Sequence, residues 1–323
     1  MTKAIRIHKT GGPDVLQWDD ISVGKPGKGE ALIRQTAVGL NYIDTYQRSG
    51  LYPVPLPTVL GSEGAGVVEA VGEGVTDVKV GDRVAYHSAL GAYAERRIMP
   101  AWLLVPLPAE IDDKTAASMM LKGCTVQYLL KRTYPVKKGD TILFHAAAGG
   151  VGLIAGQWAK SLGATVIGTV GSEEKAKLAR QNGYDHVINY STEDFVARVK
   201  EITGGAGLPV VYDSVGKDTF LKSLDCLQRR GLMVSFGQSS GPVEPIQTGL
   251  LSAKGSIFLT RPTLGHYTAN RAEVLETAND LFDVVKRGIV KIAVNQTYPL
   301  KDAAQAHHDL ESRKTTGATV LII

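Results

Sequence analysis

The sequence predicts a two-domain α/β protein, and three observations carry that prediction. Its 323 residues exceed one ordinary core and suit two domains. From Thr141 onward, strands alternate with helices of about ten residues, the rhythm of a parallel sheet covered by helices on both faces. Before roughly residue 120, short extended runs are punctuated by glycine turns, which is the pattern of a mostly β domain.

In the first part, residues 4–7 alternate apolar and polar, residues 31–34 make a second strand, and residues 66–71 end in a Gly-x-Gly turn. Residues 81–85 resume an extended strand, and few long helices are expected in this half. In the second part, residues 141–144 form a buried strand, 152–161 a helix ending before Gly163, 165–169 a strand, and 173–182 a helix stopped by Gly183. Further strands fall at 186–189, 209–212 and 232–235. Residues 269–287 and 302–312 are helical patterns, and 318–323 a closing strand. These last pieces are expected to return to the first domain. The division is therefore 1–122 with 264–323, and 123–263.

Composition removes several classes. Apolar residues at 44% and charged ones at 21% give a globular balance. The net charge of +4 comes without a concentrated Lys/Arg stripe, so no nucleic-acid partner is expected. Cys124 and Cys226 are far apart with no CxxC spacing, which argues against a disulfide framework and suits a reducing compartment. No secretory h-region follows Met1. The longest uncharged stretch, 141–159, holds four glycines, His145 and Gln157, and changes from strand to turn to helix, so no membrane partner is expected. The expected location is cytoplasmic.

The strongest motif is Ala146-Ala147-Ala148-Gly149-Gly150-Val151-Gly152, between a buried strand and a helix. Small residues here allow a tight turn, close approach of backbone to a pyrophosphate, and close packing of helix on strand. The helix N-terminus offers free N–H groups to the phosphates. This is the dinucleotide loop of a Rossmann domain. The second strand selects the cofactor. An NAD site carries an acid about 20 residues past the first glycine, whereas Thr169-Val170-Gly171-Ser172 has none. Lys175 follows one helical turn later, placed either to meet a 2′-phosphate or to be solvated; Ser172 is either a phosphate contact or only an N-cap. The expected cofactor is NADPH.

The run Gly139-Asp140-x-x-Leu143-x-x-x-Ala147-Ala148-Gly149-Gly150-x-Gly152-x-x-x-x-Gln157-x-x-Lys160 resembles the signature of quinone oxidoreductases. These are zeta-crystallin-like, zinc-free members of the medium-chain dehydrogenase/reductase superfamily. Residues 41–52, Gly61-Ser62-Glu63, Gly81-Asp82-Arg83-Val84 and Tyr212-Asp213-Ser214-Val215-Gly216 extend the resemblance over essentially the whole chain. It implies a GroES-like first domain, a homodimer, and NADPH contacts at matching positions. Gly149, Gly150, Val151 and Gly152 would lie under the pyrophosphate. Ser172, Lys175, Tyr190 and Arg313 would surround the 2′-phosphate. Tyr128, Ser214, Val215, Phe236 and Gly237 would line the rest of the dinucleotide path, with Asn41 beside the nicotinamide ribose.

Zinc members of the superfamily place Cys, His and Cys where this chain has Asn41, Ser62 and a position near Leu121, with Cys124 displaced from the third. Two cysteines cannot build a four-Cys lobe, so no metal is expected. That constrains the chemistry. Reducing an ordinary ketone creates an alkoxide whose conjugate acid resembles water, of pKa about 16. Reducing a quinone creates a phenolate-like anion of pKa about 10, a difference worth about 8 kcal/mol of charge stabilisation. The expected function is reduction of a quinone or related conjugated carbonyl, with hydrogen-bond donors in place of a Lewis acid.

Asn41, Tyr46 and Tyr52 are the candidates for substrate contact or oxygen polarisation. The alternatives are a loop role for Asn41 and core packing for the tyrosines. Asp44 either orients a ribose hydroxyl or caps a helix. His145 is expected to pack beside the glycine loop, and His307-His308 to lie on a helix face. Two other functions fit the same features: reduction of an enone or alkenal double bond, and a low-turnover NADPH-binding structural protein.

Overall fold

Alternating Ile, Val and Ala in the first half and unbroken apolar runs in the second build two different kinds of sheet. The computed structural model describes residues 1–323. It comprises two units, Met1–Cys124 with Tyr267–Lys286 and Ile292–Ile323, and Thr125–His266 with Arg287–Lys291.

In the second unit six parallel strands run in the order His186–Asn189, Thr165–Val170, Thr141–Phe144, Leu208–Asp213, Leu227–Ser235, Phe258–Thr260. The central strands Thr141–Phe144, Thr165–Val170 and Leu208–Asp213 are buried through most of their length because helices cover the sheet. The order reverses beside Thr141–Phe144, so the loop after that strand stands at the topological switch point, where such sheets bind ligands. Leu143, Ile167, Val211 and Met233 form the core beneath. Arg287–Lys291 joins this unit through Gln157, whose amide donates to Lys291 O at 3.1 Å and accepts Lys291 N–H at 2.8 Å.

The first unit centres on an antiparallel sheet. Its long strand Glu30–Leu40 pairs with Glu63–Val71, Arg96–Pro100 and Ala318–Ile322. The closing strand thus returns to this unit. Glu30–Leu40 is longer than the run 31–34 read from the sequence because Gln35 and Thr36 interrupt the apolar pattern. Gln35 is nevertheless buried, with its amide on Ala92 O and Ala94 O at 2.6 Å each, and the strand pairing shifts register around it.

The helix Asp113–Tyr128, continued by a π turn at Leu129–Thr133, was not apparent from the sequence. From Ala116 to Leu130 nearly every side chain is buried, so no polar face marks the helical period. No helix is long and apolar enough to cross a membrane.

Candidate active site and nucleotide loop

In the second unit the glycine loop leaves Thr141–Phe144 with Ala146 in the left-handed region (φ 55°) and enters the helix Gly150–Ser161 through an extended Gly149. Leu153 is the first residue whose N–H closes on the helix, at Gly149 O, 2.9 Å. The N–H groups of Gly150, Val151 and Gly152 therefore have no helical acceptor, as an anion site requires. A Cβ on Gly152 would lie 2.3 Å from Ala146 O and 2.7 Å from Ala147 O, so only glycine lets the helix sit this close to the loop. On Gly149 it would meet only Ala146 O, at 3.2 Å. These residues suit a dinucleotide pyrophosphate: small, backbone-lined and at a helix N-terminus.

The strand ends gather the neighbouring candidates. Asp213 is buried and accepts Val215 N–H at 2.7 Å, Gly216 N–H at 3.0 Å and the Thr219 hydroxyl at 2.7 Å, which fixes the turn at Ser214 and Val215. Phe236 N–H returns to Asp213 O at 2.8 Å, and a Cβ on Gly237 would strike Ser214 O at 2.7 Å. Ser214, Val215, Phe236 and Gly237 are thus one cluster. Phe236 also packs on Phe144, 5.5 Å between centroids. Tyr128 is buried at the end of its helix.

Ser172 caps the helix Glu173–Gln181 by accepting Lys175 N–H at 3.3 Å. Lys175 is half-buried one turn in. Tyr190 is part exposed, and its hydroxyl hangs over Gly171, 2.8 Å from where a Cβ would stand. No carboxylate occupies the strand end before Ser172. His145 is wholly buried between Thr169 Oγ1 (2.8 Å) and Ser223 Oγ (2.9 Å), with its pKa lowered chiefly by burial, so it supports the loop from below.

In the first unit Asn41 ends the strand Glu30–Leu40 and precedes the helix Tyr42–Ser49. Its amide donates to Glu63 Oε2 at 2.8 Å and to Gly39 O at 3.3 Å. Glu63 accepts only, so both amide hydrogens are spent and Asn41 keeps only an acceptor, Oδ1, for a ligand. Accepting from a hydroxyl suits that oxygen better than donating to a substrate oxygen would suit the committed amide. Tyr46 and Tyr52 meet edge-on at 5.2 Å between ring centroids, and both are half-buried. Arg313 is exposed just past the last helix, with φ 59°.

Asp44 Oδ2 accepts Asn41 N–H and the Tyr93 hydroxyl, both at 2.9 Å, while Oδ1 is buried without a partner. Burial pushes this carboxyl up to about 7 against those donors and the Lys122 charge. Tyr93 also meets His307 Nε2 at 3.1 Å, and Arg48 donates to His307 Nδ1 at 3.0 Å and pairs with Glu311 at 2.7 Å. Burial, then Arg48, lowers the His307 pKa to about 3. His307 is thus a neutral link on the buried side of the helix Ala303–Glu311, while His308 beside it is exposed. The sequence reading missed Tyr93, Arg48 and Lys122. The signal for the last was a lone charge inside an apolar run.

A catalytic zinc does not fit. Asn41 and Ser62 stand where ligands were compared, Glu63 is held by three donors, and burial pushes the Cys124 thiol far above its ordinary value. A hollow of about 460 Å³ lined by Thr36, Arg83, Asp113 and Ile322 contains none of the candidate residues.

A GroES-like unit joined to a Rossmann unit defines a class of dehydrogenases and reductases. The model described as alcohol dehydrogenase GroES-like domain matches residues 27–109, and that described as zinc-binding dehydrogenase matches 150–283. Quinone oxidoreductase of Pseudomonas aeruginosa is 55% identical over 100% of both chains. A 2-haloacrylate reductase of Burkholderia sp is 51% identical over 100% of this chain and 99% of its own. The crystal structure of Escherichia coli quinone oxidoreductase complexed with NADPH superposes with a TM-score of 0.98 at 54% identity, covering 99% of this chain and 100% of that one. The chain belongs to the quinone oxidoreductase family of medium-chain dehydrogenases and reductases.

Proposed function

We propose that this protein reduces quinones with NADPH, without a metal. The observation that carries the reading is the open glycine loop beside a strand end bearing Ser172, Lys175 and Tyr190 and no carboxylate. When bound, NADPH supplies hydride. Gly149, Gly150, Val151 and Gly152 would hold its pyrophosphate. Ser172, Lys175, Tyr190 and Arg313 would hold the 2′-phosphate, with Tyr128, Ser214, Val215, Phe236 and Gly237 along the rest. Asn41 would accept from a ribose hydroxyl, and Tyr46 and Tyr52 would present hydroxyls and ring edges to a flat acceptor. The unit of Met1–Cys124, Tyr267–Lys286 and Ile292–Ile323 is then the substrate domain, and that of Thr125–His266 with Arg287–Lys291 the NADPH domain; the bounds 1–122 with 264–323 and 123–263 expected from the sequence differ mainly in placing residues 287–291 with the first. Steady-state assays with simple quinones and each cofactor test the reading. NADPH oxidation is expected across the panel, and none at all would refute it.

The 2′-phosphate contact is checked by Lys175→Ala. Losing one charge-assisted hydrogen bond worth about 1.5–3 kcal/mol should weaken NADPH binding by roughly 10–100-fold and leave NADH binding nearly unchanged. Equal effects on both cofactors would remove Lys175 from the site.

Enone or alkenal reduction is the second reading, favoured by the likeness to 2-haloacrylate reductase. Specificity constants for quinones against conjugated acids and alkenals decide between them.

A homodimer through the edge strand Phe258–Thr260 is part of the proposal. Phe258 is 57% exposed on a strand with one open side, and such edges invite pairing. Phe258→Asp should shift sedimentation from dimer to monomer; a wild-type monomer would end this reading. Cytoplasmic location rests on Cys124 and Cys226, which are buried and unpaired.

A further inference from the structure

Three donors converge on the buried carboxylate of Glu63. Leu121 N–H reaches Oε1 at 2.9 Å, and Lys122 Nζ and Asn41 Nδ2 reach Oε2 at 2.9 and 2.8 Å. The donors differ in what they have left. Asn41 has spent both amide hydrogens. Leu121 had one to give. Lys122 carries three N–H groups, and Glu63 is its one protein acceptor. Its side chain is only 7% exposed, so two N–H groups of a buried ammonium lack protein partners. Leaving such donors unmet is costly, and an oxygen that gains negative charge would meet them best. The ammonium is also held in advance. Glu63 fixes it beside Asn41, so little rearrangement is needed when charge appears.

We propose that Lys122 is a catalytic residue of the reaction proposed above, donating a remaining N–H to the acceptor oxygen as that oxygen becomes anionic. The inference rests on the quinone reading. Hydride brings its electron pair to the quinone, the ring becomes aromatic, and the oxygen is left as a phenolate hydrogen-bonded to Lys122. A proton from water then completes the hydroquinone, and Lys122 keeps its own. The protein cation thereby does at this carboxylate what a Lewis acid does elsewhere, within the limits set by a phenolate rather than an alkoxide.

The test uses 4-nitrophenol, whose anion absorbs visible light, as a probe that needs no turnover. The wild-type protein should bind it as the phenolate at a pH where most of the free probe is neutral, and Lys122→Met should bind it as the phenol. In quinone turnover Lys122→Met should lower kcat about 100-fold, the cost of one preorganised donor, with KM for NADPH unchanged. The double variant Glu63→Gln/Lys122→Met removes both buried charges together, so it guards against misfolding, and it should show the same loss. Wild-type kcat in either variant overturns the proposal. So does a wild-type protein that leaves the probe's ionisation unshifted. A wild type that shifts the probe but reduces no quinone overturns the functional reading and leaves Lys122 as an oxyanion donor.

Discussion

Gly152→Val is expected to abolish NADPH binding and lower the melting temperature. The new Cβ would stand 2.3 Å from Ala146 O and 2.7 Å from Ala147 O, and both are backbone atoms that cannot swing aside. The helix must then move off the loop, taking the unpaired N–H groups of Gly150 and Val151 with it. Overpacking of this kind costs about 1–3 kcal/mol of stability, while the lost phosphate cradle should reduce affinity by at least about 100-fold, two or more charge-assisted hydrogen bonds. Gly149→Ala supplies the contrast, since its Cβ meets only Ala146 O at 3.2 Å. It should fold nearly as well as wild type and lose affinity only through the room it takes from the ligand. Calorimetric titration with NADPH, read beside thermal melts, separates the two effects. Wild-type affinity in Gly152→Val would show that the cradle lies elsewhere.

The second large effect is acid lability, and buried histidines set its sign. Burial lowers His87 to about 4, and burial with Arg48 lowers His307 to about 3. Between those values and the ordinary 6.5 the unfolded chain binds protons that the fold refuses. Their contribution is therefore complete above pH 6.5 and is lost as pH falls, by about 3 kcal/mol for each histidine at pH 4. Asp44 works in the opposite sense. Its folded carboxyl is pushed up to about 7 from 3.8, so the fold binds the extra proton and acidification favours it, by about 4 kcal/mol once both limits are passed. For these three groups the sum is a net loss of about 3 kcal/mol between pH 6.5 and 4, and His145, lowered by burial, adds to the loss in the same sense. His87 allows a clean test, because its Nε2 is buried without a partner and its shift has burial as its one cause. His87→Phe should fold normally and reduce the acid loss by about 3 kcal/mol, measured as urea midpoints at the two pH values. An unchanged loss would mean that His87 is hydrated or charged in the fold.

The parts legible beforehand were those written in local pattern. The strand Thr141–Phe144 was legible as a short apolar run and the strand His186–Asn189 as a β-branched pair after a glycine stop, and the glycine loop was legible because a loop that lets backbone approach a phosphate must be small. The helix Asp113–Tyr128 escaped because an element covered on all sides has no amphipathic period to read. Asn41 stood out as a position, but the partners of its amide could not be read from the sequence. Only the structure shows Glu63 taking both its attention and that of Lys122, 59 positions away from the acid.

Taken by itself, the order of residues determined the alternation of strands and helices and the dinucleotide turn. Each is fixed by neighbours within a few positions, where backbone sterics and side-chain period act. The tertiary structure alone decided which buried polar groups meet. Arg48 finds His307 across 259 positions and Tyr93 finds Asp44 across 49. A charge or hydroxyl taken from water must be matched wherever the fold leaves it, and chain distance carries no information about that match.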